Sequence, residues 1–340
     1  MMATSGSDPS TQQLDRKAAN WRVWDTDLVP SRRRFTHYRE GACETFLSMS
    51  PERGQSDEFA ARLEHLPLPN GAVNFVDSVP HVIVRNTADV ARMTDDVYHL
   101  NFQISGRSVY SIRNHDIGIA PRSCLLFKST IPFRKVMDPE RRNTLLSLVI
   151  PATRLADVVP LNDIGDYALL SNTTHGNLLQ SSLGILASRL HTAMPTEIAA
   201  LSAAAVNILS AALSSMKTGE QVLEHQRQPS HSLYPLMVSY IREHLKSREL
   251  TPNSVAQAFH LSRRYVDAVF ARASGLTASK FILQERLTNA QLDLTNAFSD
   301  HLTILDIALR WGFEDVSTFH RTFRAHFGDT PGSLRSSKSV

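Results

Sequence analysis

Three different periods of hydrophobic residues divide the chain. Between positions 74 and 151, short apolar runs rich in β-branched and aromatic residues alternate with turn residues, which predicts an all-β sandwich or barrel. The predicted strands are 82–84, 97–104, 108–112, 117–120, 123–128, 133–137 and 144–150. In the second, Tyr98, Leu100, Phe102 and Ile104 alternate with His99, Asn101 and Gln103, so one side is apolar and the other polar. Ser105-Gly106-Arg107 and Asn114-His115-Asp116 supply turns on either side of the third strand. The stretch 35–49 has apolar spacing that suits either a strand or a helix.

From about 178 to 217 the spacing becomes helical. Leu178, Leu179, Leu183, Leu186 and Leu190 mark one amphipathic helix, and Pro195 follows it. In the next, Ile198, Leu201, Ala205, Ile208, Leu209, Ala212 and Leu213 stay within roughly a third of the circumference at 3.6 residues per turn. Such a stripe packs on the β-rich part. Leu201, Ala205, Ile208, Leu209 and Ala212 are also candidates for pairing with the same helix of a second subunit, making a homodimer.

After an unpatterned stretch, helical spacing returns in a new form. Met237, Tyr240, Ile241 and Leu245 give one helix, and Thr251-Pro252 reads as a capped helix start. A short helix at 254–259 follows, then a turn at His260-Leu261 and a cap at Ser262. The next helix turns Val266, Val269 and Phe270 inward and Arg264, Asp267, Ala268 and Ala271 outward. The pattern recurs at 304–331. Ile304, Ile307, Ala308 and Trp311 form a short helix face and Gly312 ends it. Phe319, Phe323 and Phe327 then recur every fourth residue, opposite Ser317, His320, Arg321 and Arg324. A short helix, a tight turn, and a helix with an aromatic inner and a basic outer face is a helix-turn-helix pattern, here present twice. The same pattern also suits a small helical hairpin with a solvated charged face.

The second of these stretches resembles the DNA-binding domain of the AraC/XylS family of transcriptional regulators. The residues that carry the resemblance are Ile304, Ile307-Ala308, Gly312-Phe313, Phe319, Arg321-Thr322-Phe323-Arg324 and Gly328-Asp329-Thr330-Pro331. Gly275-Leu276-Thr277, Phe281, Arg286-Leu287 and Ala290 extend it to the helix that joins two helix-turn-helix units in that family. Ala278, Phe281 and Leu334 depart from the usual Pro, Tyr and Tyr or Phe, and Leu334 is expected to be a packing variation. Upstream, DVYHLNFQISGRSVY and APRSCLLFKSTIPFRKVM resemble the family's cupin-like sensor domain, with Pro121-Arg122-Ser123 in place of the usual Pro-Gly-Asp turn.

The fold class expected is therefore α+β in two domains: an N-terminal cupin-like β-barrel with flanking helices and a C-terminal all-α domain with two helix-turn-helix units. The boundaries are a disordered polar tail at 1–18, a sensing and dimerisation domain at 19–217, a linker at 218–231 and a DNA-binding domain at 232–340.

The resemblance implies a cytoplasmic, small-molecule-responsive activator whose partners are double-stranded DNA, RNA polymerase, an effector and a second copy of itself. By position it assigns base reading to Arg264, Asp267 and Ala268 in the first unit and to Val316, Ser317, His320 and Arg321 in the second. Arg272, Lys280 and Arg324 are the expected phosphate contacts. Arginine can offer guanine two donors, aspartate can accept from cytosine, and alanine offers only a methyl contact. In a small barrel an effector would meet inward polar residues, and Arg85, His99, Asn101, Gln103 and Tyr110 are the candidates. The same five could instead line a half-exposed strand.

Charge and composition narrow the field. From His231 onward the chain has 13 of its 36 basic and 10 of its 33 acidic residues, leaving 23 of each upstream. The whole net charge of +3 thus lies in the segment expected to meet DNA. With 42% hydrophobic and 20% charged residues, 340 residues suffice for two cores. No unbroken apolar run approaches the roughly 20 residues that span a bilayer, and the N-terminus lacks a signal-peptide core, so no membrane association is expected. Cys43 and Cys124 are too few for a disulfide framework. His81, His99 and His115 stand apart without a His-x-His pair, so no metal, cofactor or catalytic residue is expected. Two other functions remain open: a ligand-independent dimeric DNA-binding regulator, and a cupin-type enzyme with a DNA-binding tail.

Overall fold

Alternating side chains on paired strands decide the architecture of the N-terminal part. The computed structural model describes residues 21–336 apart from 47, 53–57, 93–95, 114, 162–163, 171–173, 217–232 and 296–300. The expected tail and linker lie outside the described residues. Two compact units result, one up to Ser232 and one from Leu233.

The first unit contains two antiparallel sheets. Seven strands form one, in the order β1 (Arg22–Asp25), β3 (Ala61–Leu68), β4 (Gly71–Ser78), β11 (Asn143–Pro151), β6 (Val97–Ser105), β9 (Cys124–Lys128) and β12 (Tyr167–Leu170). Five form the other: β2 (Ser50–Glu52), β5 (Val82–Arg85), β10 (Phe133–Met137), β7 (Ser108–Ile112) and β8 (His115–Ile119). The sheets share a core built from Leu63, Val76, Leu125 and Phe127 on one and Ile83, Tyr110, Ile112 and Phe133 on the other. Among the described residues no strand pair joins them, so the expected barrel is open rather than closed.

Strands outside the expected 74–151 region complete the seven-stranded sheet: β1, β3 and β12. The ambiguous stretch at 35–49 is largely helix, α1 (Ser31–Thr45). At the turn that replaces Pro-Gly-Asp, Arg122 takes the left-handed conformation (φ 69°) in which glycine is at home. The expected turn at 114–116 falls earlier, because β8 already starts at His115.

The outer face of the larger sheet packs on two helices, α4 (Thr174–Arg189) and α5 (Pro195–Met216), with α2 (Thr87–Ala91) and α3 (Ala152–Ala156) as short connections. Leu100, Phe102, Leu146 and Leu148 of the sheet meet Leu179, Leu183, Ile198 and Leu209 of the helices in one core. This corrects two expectations. Leu178 lies outside the core at 54% exposure, and Ala205, Leu209 and Ala212 are buried against the sheet rather than free to meet a second subunit. Leu201 and Ile208 also pack partly against that core. By length and apolarity 195–214 could cross a bilayer, but this apolar face is the one that packs on the sheet. On the same side of the sheet Glu64 is fully buried, 2.7 Å from Arg62 Nε and 3.1 Å from His191 Nε2. Burial alone would raise its carboxyl, but hydrogen bonds and charge from His191 and Arg62 outweigh that and hold it at about 2.

The second unit is all helix: α6 (Leu233–Glu243), α7 (Pro252–Ala258), α8 (Arg263–Ser274), α9 (Ala278–Thr295), α10 (Ile304–Arg310), α11 (Val316–Phe327) and α12 (Pro331–Ser336). Met237, Ile241 and Leu245 are buried, as their spacing requires. Phe319 and Phe323 are fully buried in a cluster with Leu287, Ala290 and Leu294 of α9 and Ile307 and Ala308 of α10. Leu334 packs against the same cluster, so the departure there is filled by packing.

Candidate functional site

The two helix-turn-helix units are built to one plan. Each short helix opens on a threonine capping box, Thr251 with Ser254 before α7 and Thr303 with Asp306 before α10. Each closes on the same pair of backbone bonds. Leu261 N donates to Ala256 O and His260 N to Gln257 O in the first unit. Phe313 N donates to Ala308 O and Gly312 N to Leu309 O in the second. This is a Schellman closure, which needs a left-handed residue just past the helix. His260 (φ 53°) and Gly312 (φ 75°) are those residues.

The following helices start on their own caps. Ser262 accepts from Tyr265 N, and Asp315 accepts from Thr318 N at 2.7 Å. Each ends on a left-handed glycine, Gly275 or Gly328. Counting from the caps, Arg264 corresponds to Ser317, Asp267 to His320 and Ala268 to Arg321. Arg264, Ala268, Ser317 and Arg321 are exposed, and Val316 and His320 are half-buried. Arg272, Lys280 and Arg324 are exposed too.

Asp267 is engaged within the protein. One carboxylate oxygen accepts from Arg263 Nε at 3.0 Å, and the other accepts from Ala278 N at 3.2 Å, at the start of α9. One oxygen thus pairs within α8 and the other fixes α8 to the start of α9, which gives Asp267 a structural role at this junction. Arg263, overlooked in the sequence, completes this junction by donating to Asn253 Oδ1 and Ser279 Oγ, each at 3.3 Å. Its spacing four residues before Asp267 was the available signal.

A second junction holds the two units to each other. Arg286 of α9 donates to the carbonyls of Leu245 (3.2 Å), Ser247 (2.7 Å) and Leu250 (3.4 Å) just after α6. Its guanidinium lies against Gly312 in the turn of the second unit. Beside it, the Lys246 ammonium sits 5.2 Å from the centre of the Trp311 ring, and Trp311 Nε1 donates to Asp293 at 2.8 Å.

Between the two sheets of the first unit lies a polar interior. The five effector candidates are all buried, which removes the half-exposed-strand alternative: Arg85, His99, Asn101, Gln103 and Tyr110 are at most 5% exposed. They divide by partner. Arg85 donates from Nε and Nη2 to Ser129 O and from Nη1 to Ser48 O, so it ties loops together. Gln103 Nε2 donates to Ser105 O at 2.6 Å near its strand end. His99, Asn101 and Tyr110 are brought together instead. Asn101 Nδ2 donates to the Tyr110 hydroxyl at 2.9 Å, across the gap between the sheets. The His99 ring stacks on Phe46 and Phe127, and neither of its nitrogens has a hydrogen-bond partner among the described residues.

Sequence reasoning missed Lys135 here. It is 2% exposed, lies 5.4 Å from the Tyr110 ring centre, and donates to Asn143 Oδ1 at 3.3 Å. The signal was the alternation Phe133-Lys135-Met137, which puts the lysine on the strand's apolar side. Burial pushes its ammonium down to about 7. His81, bonded to the Tyr38 hydroxyl at 3.0 Å, is pushed down to about 4, mainly by burial. His99 is pushed to about 3 by burial and by the charge of Arg85.

These histidines carry a pH dependence. Between their ordinary value of 6.5 and their folded values, the unfolded chain binds protons that the folded chain refuses. Stability is therefore lost as pH falls from 6.5 towards 4, by about 1.4 kcal/mol per unit for each fully responding histidine. Lys135 is protonated in both states over most of this range, and Glu64 adds its own loss only below 4.5. Urea midpoints of the sheet unit should fall steadily across this window. A flat profile would show that the two histidines are not buried and neutral.

Known proteins with this arrangement can now be placed beside it. The family described as "Helix-turn-helix domain" matches residues 255–337. The family described as "AraC-binding-like domain" matches residues 39–214, more than half of the chain. The chain belongs to the AraC family of transcription regulators. Transcriptional activator NphR of a Rhodococcus species is 26% identical over 307 residues, covering 86% of this AraC-family chain and 85% of the relative. The crystal structure of the AraC-like transcriptional activator CuxR covers 80% of the chain and 95% of its own, with a TM-score of 0.50 and 17% identity, a likeness of fold. An uncharacterized HTH-type regulator of Bacillus subtilis, YfiF, is 35% identical over 114 residues, 33% of this chain and 35% of that one. The chain thus matches only about a third of the length of several curated relatives, among them YfiF.

Proposed function

We propose that this AraC-family chain is a sequence-specific transcription activator that reads DNA through α8 and α11 and answers to a small molecule held between its two sheets. The observation that carries the DNA reading is the duplicated unit: two capped recognition helices of the same construction, each presenting an exposed arginine, fixed to one connecting helix. The activator role and a contact with RNA polymerase rest on relatives that are named transcriptional activators. On this reading the protein works in the cytoplasm, where it meets DNA.

The arginines fall at different depths. Arg264 stands near the start of α8 and Arg321 one turn further along α11, so the two units would read different positions in their grooves. Val316, Ser317, His320 and Ala268 surround them as shorter-range contacts. Arg272, Lys280 and Arg324, all exposed, would touch phosphate. A second copy of the chain would pack on the outer side of α4, where Leu178 and Ile185 stand two turns apart at 54% and 55% exposure.

Arg321→Ala is expected to weaken binding to the DNA flanking the protein's own coding region by about 10- to 100-fold, from the loss of one bidentate guanine contact. Arg324→Ala should weaken specific and unspecific DNA alike and make the salt slope shallower by about one unit. Gel-shift titrations at two salt concentrations measure both. Equal loss on specific and unspecific DNA for Arg321→Ala would move that residue to the phosphate group.

A further inference from the structure

The interior between the sheets holds more hydrogen-bond donors than acceptors. Lys135 carries three N–H bonds, and the described residues offer them one acceptor, Asn143 Oδ1. The Tyr110 hydroxyl accepts from Asn101, and its own proton meets no acceptor among the described residues. His99 supplies a further N–H without a partner among the described residues, as does Asn143 Nδ2. Ser147 Oγ, whose residue pairs with Asn101 in the strand register, is fully buried and also without a partner. Against these stand the side-chain carbonyls of Asn101 and Gln103 and one His99 nitrogen.

The electrical balance leans the same way. Lys135 forms no ion pair among the described residues. None of the residues that β3, β4, β6, β10 and β11 turn inward is Asp or Glu. A buried ammonium without a counter-ion is costly, and a purely structural position would carry an apolar residue or a paired one. Aromatic rings lie beside the polar groups: Phe127 is 5.4 Å from His99, 5.8 Å from Tyr110 and 5.3 Å from Phe133, centre to centre.

We infer that this interior takes a small carboxylate with an apolar body, the carboxylate meeting Lys135, the Tyr110 hydroxyl and Ser147, and the body lying against Phe127 and Phe133. The inference rests on the proposed effector role of the interior, and adds the charge class of the effector and Lys135 as the residue that selects it. A carboxylate supplies the acceptors that the interior lacks and the counter-ion that Lys135 lacks. An amide supplies half of the first and none of the second, and an amine makes both deficits worse.

The test is calorimetric titration of the full chain with benzoate, phenylacetate and hexanoate, each beside its amide and its amine. At least one carboxylate should bind about 10- to 100-fold more tightly than its amide, the range that a charge-assisted contact commands. Lys135→Met should raise the melting temperature of the unliganded protein, since an unpaired buried charge is replaced by an apolar chain of similar length. The same variant should erase the preference for the carboxylate. Because it folds at least as well as the parent, loss of binding cannot be put down to unfolding. The inference is overturned if Lys135→Met binds the carboxylate as the parent does. It is also overturned if amides or amines bind equally well and Asn101→Leu abolishes that binding, which leaves the effector role standing. Failure of every compound to bind overturns the inference and removes support for the effector role as well.

Discussion

Phe323→Ala should destabilise the helical unit by about 3–5 kcal/mol, the usual loss for a buried phenylalanine truncated in a packed core. Phe323 is fully buried, with ring centres 5.3 Å from Phe319 and 4.6 Å from Phe327. Its neighbours come from three helices, Leu287 and Leu294 of α9 and Ile307 of α10 among them, so no single side chain can move in to fill the space. Small domains have about 5–15 kcal/mol of stability in all, so a loss of this size takes a large share of it. The variant is therefore expected to lose cooperative unfolding and DNA binding together. Phe327→Ala, at a half-buried position, should cost distinctly less. Chemical denaturation followed by far-ultraviolet circular dichroism measures both, and a loss below about 1 kcal/mol for Phe323→Ala would mean that α11 is not seated on its aromatic face.

Gly312→Ala is expected to cost about 2–4 kcal/mol, from two sources. The first is the left-handed conformation at φ 75°, which a side chain tolerates poorly. The first unit shows that this alone is bearable, because His260 holds the equivalent position at φ 53°. The second source is specific to Gly312. A Cβ there would stand 2.9 Å from the Arg286 guanidinium, and that group cannot swing away without leaving the carbonyls of Leu245, Ser247 and Leu250. Each lost bond to a charged donor is worth about 1.5–3 kcal/mol, partly recovered through water. Arg286→Ala alone should destabilise the unit, yet in the Gly312→Ala background it should cost much less, because Arg286 is there already pushed off its carbonyls and removing it relieves the clash. A double-mutant cycle with coupling above about 1 kcal/mol is the expected result. Strict additivity would mean that the turn and Arg286 do not meet. Because Arg286 joins the end of α6 to the turn of the second unit, both variants should also weaken two-groove binding more than binding to a half-site.

The helical unit was legible in the sequence for a physical reason. Its caps, turns and inner faces are local features: Thr251-Pro252, Ser262, Gly312 and the Phe319-Phe323-Phe327 spacing each act within one or two turns of chain. The sheets depend on partners far away in sequence. β1, β3 and β12 lay outside the expected β region, and Glu64, a carboxylate in a strand with Arg62 and His65 beside it, is buried only because Arg62 and His191 reach it. The same holds for orientation. The alternation of His99, Asn101 and Gln103 was plain, but which side faced inward depended on α4 and α5 covering Leu100 and Phe102. Asp267 shows the limit at the DNA-facing surface. Its place on an outward helix face suggested base reading, and only the packing of α8 on α9 revealed that both oxygens are used within the protein. For α5, the apolar stripe that suggested pairing between subunits was the stripe required by the protein's own core.

Hydroxyl-radical footprinting on the DNA upstream of the coding region addresses the DNA-reading role of the duplicated unit most directly. Two recognition helices held rigidly by α9 should protect two patches on one face of the duplex, about one helical turn apart, with the patch under α11 fading in Arg321→Ala and that under α8 in Arg264→Ala. A single protected patch, or both patches fading together in either variant, would contradict reading by two separate units.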